Sequence, residues 1–398
     1  MKILHLNTTD VGGAAVAALR LHNGLLNNGI ESNFLSLYKH NQEGVNTFTY
    51  SAFLRSNIYE RISSSLKYKF QKLIYKNVEG FNYPISPFCV HKHPLIMDAD
   101  IIHLHWISRF ISSSSFISHI KKLKKPIVWT LHDLNPITGG YHYMETEEIN
   151  EKLNKKYLLY KKKCIDFHGN IHMVSPSTWI YKLIIESGIV NNENAHIIMN
   201  GIDLDKFFPL DKIESKKKLD INPNKKVILF LASNIEDKRK GLIYFLKSIS
   251  LINNKEDIHI LCVGSGKIVL PHDLECTFMG SISNFQELIQ IYSSSDIFVI
   301  PSLEDNLPNT IIESLSCGTP VVGFNTGGIP DLIVNNYNGF LANRGDENDL
   351  AEKINLLLMN DNMLKEFSIN SRIFVKEKLD NDIQSKKYIE LYKSILNK

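Results

Sequence analysis

No stretch of this sequence approaches the ~20 apolar residues needed to cross a bilayer. Its longest apolar runs, such as residues 227–232, are strand-sized. The N-terminus offers one Lys and then only Ile3-Leu4, too short for the apolar core of a signal peptide. Cysteine is scarce: Cys89, Cys164, Cys262, Cys276 and Cys317 are odd in number and scattered, with no C-x-x-C and no zinc spacing. That pattern predicts reduced, buried thiols in a cytoplasmic protein and excludes a disulfide framework. An excess of one charge is missing too. Lys and Arg number 45 against 42 Asp and Glu, a net charge of +3, which argues against a dedicated nucleic-acid binder. Low-complexity tracts and short internal repeats are absent. What remains is 398 residues, 43% hydrophobic and 22% charged, the make-up of a soluble globular chain of about two domains.

Short apolar runs alternate with helical stretches from end to end. Residues 2–7, 32–38, 100–106, 126–132 and 171–175 read as buried parallel strands, and a second series follows at 227–232, 258–264, 276–280, 296–301 and 320–324. Between the first two lies a helix over 13–28, with Val16, Leu19, Leu25 and Leu26 on one face. Two βαβ series predict an α/β protein of two Rossmann-like, doubly wound domains, with ligands at the carboxyl ends of the strands. The expected division is 1–200, 201–380 and a C-terminal helix over 381–398 that packs on either domain. The hinge is placed within 200–209, and the ligand between the domains.

Several segments carry chemistry. Gly12 and Gly13 follow the first strand and open a helix, where free amides suit phosphate or sugar hydroxyls, although the full G-x-G-x-x-G spacing is absent. His132 and Asp133 end a strand and precede Gly139-Gly140; a histidine there is either structural or set to donate to a substrate hydroxyl. Asp98 and Asp100 resemble a metal-holding acid pair but precede a strand, so they read as a solvated turn. His103 with His105, and His91 with His93, lack a third ligand nearby and read as strand residues. Lys238-Arg239-Lys240-Gly241 sets three cations beside a helix start, a site for a diphosphate or else a solvated face. Asp305 and Glu313 have seven residues between them within PSLEDNLPNTIIESLSCGTPVVGFNTGG; with Asp305 at a helix entrance, Glu313 falls two turns inside, ~12 Å away at ~1.5 Å per residue. Such acids suit two sets of sugar hydroxyls better than a shared proton. Residues 53–76 combine Arg55, Arg61, Lys67, Lys69, Lys72 and Lys76 with an apolar series, Leu54, Ile58, Ile62, Leu66 and Phe70. This basic segment, broken at Ser63-Ser64-Ser65, reads either as an anionic-membrane contact or as a solvated lobe.

Taken together these segments resemble glycosyltransferase family 4, the retaining nucleotide-sugar transferases with two domains facing across a cleft in the GT-B fold. The resemblance covers nearly the whole chain. It rests on Gly12-Gly13, TLHD (130–133) with TGG (138–140), SPSTW (175–179), NGID (200–203) with Phe207 and Pro209, and above all the PS…E…GTPVV…GG series. It implies that Glu313 binds the nucleotide ribose and that Asp305 stands at the first acid of the E-x7-E pattern, with Glu304 beside it. Lys240 matches the lysine of a basic pair on the donor diphosphate. The pair's arginine is missing at Asn234 or Ile235, and Arg239 is the candidate replacement. His132 matches a histidine on the transferred sugar; Gly327-Gly328 resembles a donor-contacting loop, with Asp331 just beyond. The implied catalytic group is His132, Arg239, Lys240 and Asp305, and the donor-binding set adds Gly12, Gly13, Gly264, Asn306, Leu307, Glu313, Gly327 and Gly328.

The activity so implied is transfer from a UDP- or GDP-linked sugar to a saccharide or lipid-linked saccharide acceptor, in cytoplasmic assembly of bacterial O-antigen, capsule or exopolysaccharide. No metal, no cofactor and no nucleic-acid partner is expected; the anionic inner membrane surface is the partner of the basic segment. Attack on the front face, with the departing phosphate taking the acceptor proton, accounts for the lack of an isolated base. The alternatives are a nucleotide-sugar epimerase of the same fold and a non-catalytic sugar-nucleotide-binding protein.

Overall fold

A computed structural model describes residues 1–40, 44–75, 78–144, 148–269 and 274–397. Lys76, and the side chain of Lys72, lie outside the described part. The chain divides into two units, Met1–Gly201 with Asn381–Lys398, and Ile202–Asp380.

The first unit is built on seven parallel strands: β1 Lys2–Asn7, β2 Glu31–Ser36, β3 Thr47–Thr49, β4 Ile101–Leu104, β5 Ile127–Thr130, β6 Ile171–Ser175 and β7 Ala195–Ile197. Their order is β3-β2-β1-β4-β5-β6-β7, so the winding reverses between β1 and β4. Strands β4, β5 and β6 are buried along their whole length, which is why they read as near-continuous apolar runs. Two of them are shorter than the apolar runs suggest. β4 stops at Leu104 and β5 at Thr130, so His105 and His132 fall just past the carboxyl ends of the sheet. The edges β3 and β7 are three residues each and carry no apolar run, so nothing in the sequence pattern marks them.

Helix α1 (Gly13–Asn27) buries Ala15, Ala18, Leu21, Gly24 and Leu25, whereas Val16, Leu19 and Leu26 are half-buried. The expected apolar face is therefore corrected. Small residues face inward because the C-terminal helix Asn381–Leu396 comes close: a Cβ on Gly24 would sit 2.1 Å from Ser385 Oγ. The basic segment forms α2 (Tyr50–Ser56) and α3 (Ile58–Ile74), and its break lies at Asn57 rather than at the serines. Asn57 is extended (φ −124°, ψ 90°) and its side chain accepts from Glu60 N, a cap that restarts the helix, while Ser63–Ser65 continue it. His91 and His93 are likewise not strand residues. His91 lies in the 3₁₀ turn Val90–Lys92 and His93 caps the helix Pro94–Asp98, since Pro94 has the backbone angle of a first helical residue and no donor for a ladder.

The second unit has six parallel strands: β8 Lys226–Asn234, β9 Ile258–Ser265, β10 Glu275–Phe278, β11 Ile297–Ile300, β12 Val321–Phe324 and β13 Gly339–Ala342. The order β10-β9-β8-β11-β12-β13 reverses between β8 and β11. In a doubly wound sheet that reversal splays the following loops apart and opens a crevice at the carboxyl ends. The loops concerned are those that follow β8 and β11.

Candidate functional site

In the second unit, β8 runs out into Asp237, whose carboxylate accepts from Arg239 N at 2.9 Å and starts the tight turn Lys238–Lys240. Gly241 then takes a left-handed angle (φ 72°), and a Cβ there would lie 1.9 Å from Pro301 O. This contact presses the loop after β8 against the loop after β11. As a result the Lys240 Nζ stands 2.6 Å from Asp305 Oδ2, with Arg239 Nη1 at 3.5 Å from the same oxygen. Burial alone would raise the Asp305 carboxyl; Lys240 and then Arg239 outweigh it and hold the group below the usual carboxylate range. Arg239 is itself nearly buried, donating to Glu304 O at 2.8 Å and pairing with Asp237 Oδ2 at 3.1 Å.

The glycines near this cluster serve close backbone approach. Gly327 is left-handed (φ 56°) and its Cβ would lie 2.0 Å from Asp305 O, the oxygen that accepts from Gly328 N at 3.0 Å. Gly264, at the end of β9, donates to Gly280 O at 2.8 Å and leaves no room for a Cβ beside Ala232 O. Asn306 N donates to Asp305 Oδ1 at 3.1 Å, and the Leu307 side chain is buried. Glu313 is placed differently from the spacing argument. The helix begins only at Asn309, so Glu313 lies just over one turn inside it, and Asp305 belongs to the preceding loop. Pro308 explains the shift: it keeps Leu307 out of the helical region and itself caps the helix with ψ 117°. Glu313 Oε2 accepts from the buried Tyr292 hydroxyl at 3.1 Å, a partner that no motif announced.

In the first unit, Gly12 (φ 89°) caps α1 with open space where a Cβ would lie, and both Gly12 and Gly13 are exposed. Gly139 and Gly140 are packing positions: Cβ atoms there would meet Asn154 O at 2.2 Å and Asn82 O at 2.4 Å. Asp133 Oδ2 lies 2.6 Å from His142 Nδ1, and the buried Lys161, pushed down by burial to about 7, holds Asn135 Oδ1 at 3.1 Å. Asp98 and Asp100 stand at the amino end of β4, tied to Lys2 at 2.9 and 2.7 Å.

His132 belongs to a larger cluster than the sequence suggested. Its Nε2 lies 3.0 Å from His105 Nδ1, and His105 Nε2 lies 2.9 Å from His5 Nδ1. His103 bonds Tyr392 Oη at 2.6 Å and Thr130 Oγ1 at 2.7 Å, and Tyr388 Oη reaches the same threonine at 2.8 Å. The third imidazole missing beside His103 and His105 therefore comes from His5, whose strand register pairs it with His103. The three have nitrogens within 4.8 Å of one another, a donor set that transition metals accept, but both nitrogens of His103 and of His105, and Nδ1 of His5, are engaged in the hydrogen bonds just given. Burial pushes His132 down to about 4, and His5, His103 and His105 well below the usual range. The H-x-H that runs off the end of β4 was the available signal.

The sequence matches two family models, Glycosyltransferase Family 4 over residues 11–206 and Glycosyl transferases group 1 over residues 225–360. It is 27% identical over 216 residues to the N,N'-diacetylbacillosaminyl-diphospho-undecaprenol alpha-1,3-N-acetylgalactosaminyltransferase of Campylobacter jejuni, covering 52% of this chain and 56% of that protein. The match therefore spans just over half of that relative's length. It is 25% identical over 289 residues to the UDP-Gal:alpha-D-GlcNAc-diphosphoundecaprenol alpha-1,3-galactosyltransferase of Escherichia coli, covering 69% and 70% of the two chains. Among solved structures, Anabaena HepE in complex with UDP and glucose superposes with a TM-score of 0.68 at 17% identity, over 99% of this chain and 100% of that one. That likeness shows the fold. With two doubly wound parallel sheets and both family models matched in order along it, the chain belongs to the group 1 glycosyltransferases of the GT-B fold.

Proposed function

We propose that this glycosyltransferase transfers a sugar, with retention, from a UDP- or GDP-sugar to a lipid-linked saccharide in the assembly of a bacterial surface polysaccharide. The observation that carries the reading is the Lys240–Asp305 contact, with Arg239 behind it, at the point where the second sheet reverses. The leaving group of a nucleotide sugar is a diphosphate, so the reaction chiefly needs positive charge where negative charge grows. Lys240 supplies that charge, Asp305 holds it in place and addresses sugar hydroxyls, and Glu313 takes the ribose. His132 contacts the transferred sugar. The acceptor oxygen bonds to the anomeric carbon as the bond to the diphosphate breaks, and the acceptor proton passes to the departing phosphate.

The lipid acceptor is supported by the names of the Campylobacter and Escherichia relatives, both of which act on diphospho-undecaprenol saccharides. It is supported also by α3, where Ile58, Ile62, Leu66 and Phe70 are exposed in a row beside the exposed Lys69. Such a face suits the anionic inner surface of a membrane, although Lys67 turns back to Cys89 Sγ at 3.0 Å. No helix of the described residues is long and apolar enough to cross a membrane.

Incubating the protein with labelled UDP- and GDP-sugars and a polyprenyl-diphosphate saccharide tests the reading. The expected product is a glycoside whose anomeric configuration, read by NMR, is that of the donor. Isomerised donor without transfer establishes an epimerase instead, and donor binding without turnover a binding protein. Because Asp98 and Asp100 are tied to Lys2 at the far edge of the sheet, transfer is expected to persist in excess EDTA. Loss of activity restored by Mn²⁺ refutes metal independence.

A further inference from the structure

Three histidines of the first unit form one file across the sheet. His5 lies in β1, His105 follows β4 and His132 follows β5, three neighbouring strands. Each links to the next nitrogen to nitrogen, at 2.9 and 3.0 Å, with rings stacked 5.2 and 5.3 Å apart. His5 and His105 are buried, and Tyr388, Tyr392 and Thr130 enclose the neighbouring His103, which stacks on His105 at 4.2 Å.

A neutral imidazole has one N–H and one lone pair. In a file joined nitrogen to nitrogen every N–H must therefore point the same way, and only two arrangements exist. Donation from His5 toward His132 leaves His132 with its proton on Nδ1. Donation the other way puts it on Nε2 and leaves a lone pair at Nδ1. The ends decide between them. His5 Nε2 is buried without a partner, so the second arrangement strands an N–H in the core, while the first strands only a lone pair. Orphaned buried N–H groups are the rarer and costlier case. Among the described residues His132 Nδ1 has no hydrogen-bond partner.

We infer that His105 and His5 are positioning residues that set the tautomer of His132, presenting its Nδ1–H as a donor to a sugar oxygen. The inference rests on the proposed contact of His132 with the transferred sugar. The trio of His5, His103 and His105 is also a metal-type donor set, but His103 gives one nitrogen to Tyr392 and the other to Thr130, so the hydrogen-bonded file is the arrangement this geometry favours.

The test is ¹⁵N NMR of the full chain labelled at histidine, which distinguishes protonated from bare ring nitrogens. The wild-type protein at pH 7.5 is expected to show the protons of His5, His105 and His132 all on Nδ1. A proton on His132 Nε2 overturns the inference, without need of any variant. In His105→Phe the His132 proton is expected to move to Nε2 or to exchange between the two nitrogens, and transfer to slow roughly ten- to hundred-fold in kcat. His105→Asn keeps an N–H near the Nδ1 position and is expected to restore both the tautomer and most of the rate. An unmoved His132 tautomer in folded His105→Phe also overturns it. A tautomer that moves while kcat stays at the wild-type value leaves the relay standing and removes His132 from the sugar contact, so the two readings fail separately.

Discussion

In the proposed reaction Lys240 and Glu313 meet different parts of the donor, and their variants are expected to fail differently. In the proposed reaction Lys240 sits where charge grows during bond breaking, so Lys240→Ala is expected to lower kcat by roughly 10² to 10³. Glu313, which accepts from the Tyr292 hydroxyl, is proposed to meet the ribose, a part of the donor that does not react. Glu313→Gln is expected to raise the donor KM by about ten- to hundred-fold with kcat nearly unchanged. Steady-state kinetics with the identified donor separates the two, and a near-normal kcat in folded Lys240→Ala removes it from the diphosphate. Gly327 is a backbone matter. Its left-handed angle and the 2.0 Å approach to Asp305 O leave no place for a methyl group, so Gly327→Ala is expected to displace the Asp305 loop. We expect a loss of about 1–3 kcal/mol in stability and weaker donor binding, measured by denaturation and titration calorimetry. A stable Gly327→Ala with wild-type affinity contradicts that account.

At the scale of elements, α3 is the most uneven piece of the fold. Leu66 and Phe70 are 63% and 64% exposed, on a helix that carries only one acidic residue, Glu60, and Glu60 is paired with Lys92. The double change Leu66→Glu and Phe70→Glu is expected to weaken binding to phosphatidylglycerol vesicles at least about tenfold, since each apolar side chain contributes roughly 1.5–3 kcal/mol when fully buried. Donor binding should not change. Sedimentation with vesicles decides it, and unchanged partition returns α3 to an ordinary solvent-facing role. The helix Asn381–Leu396 is the opposite case. It brings Tyr388 and Tyr392 from the far end of the chain onto Thr130 and His103, which lies in one buried layer with His5 and His105.

That layer has a consequence for the whole first unit. His5, His103 and His105 are neutral when folded, because burial disfavours their charged forms, and they take up protons readily when unfolded. Below about pH 6.5 the unfolded chain binds more protons, so stability falls as pH falls, by up to about 1.4 kcal/mol per pH unit for each imidazole. The thermal midpoint is expected to drop by about 10 °C or more between pH 7 and pH 5, with the steepest part below 6.5. A midpoint that is flat across that interval shows that the imidazoles are charged or solvated in the folded state. His103 faces Tyr388, Tyr392 and Thr130, and His5 faces His22 and His105, so no carboxylate in these contacts offsets the loss.

Apolar runs in alternation were enough to read the two doubly wound sheets, because strands buried on both faces must be apolar throughout. Lys240 was legible as a cation beyond the end of a strand and Gly327 through the resemblance of its segment, whereas the helix entrance expected at Asp305 proved to be a loop. The edges β3, β7 and β13 were not legible, being three or four residues long and held mainly by their neighbours' hydrogen bonds. Nor was the inward face of α1, where closeness to a helix more than 350 residues later selects Ala and Gly over larger apolar residues. The position of Glu313 turned on where Pro308 lets a helix begin, and the pairing of Asp305 with Lys240 on the packing of Gly241 against Pro301. His5, His105 and His132 lie 100 and 27 residues apart along the chain. Only the ordering of β1, β4 and β5 side by side makes them one hydrogen-bonded file, since sequence carries each strand's composition while adjacency in a parallel sheet is settled by how the crossovers wind.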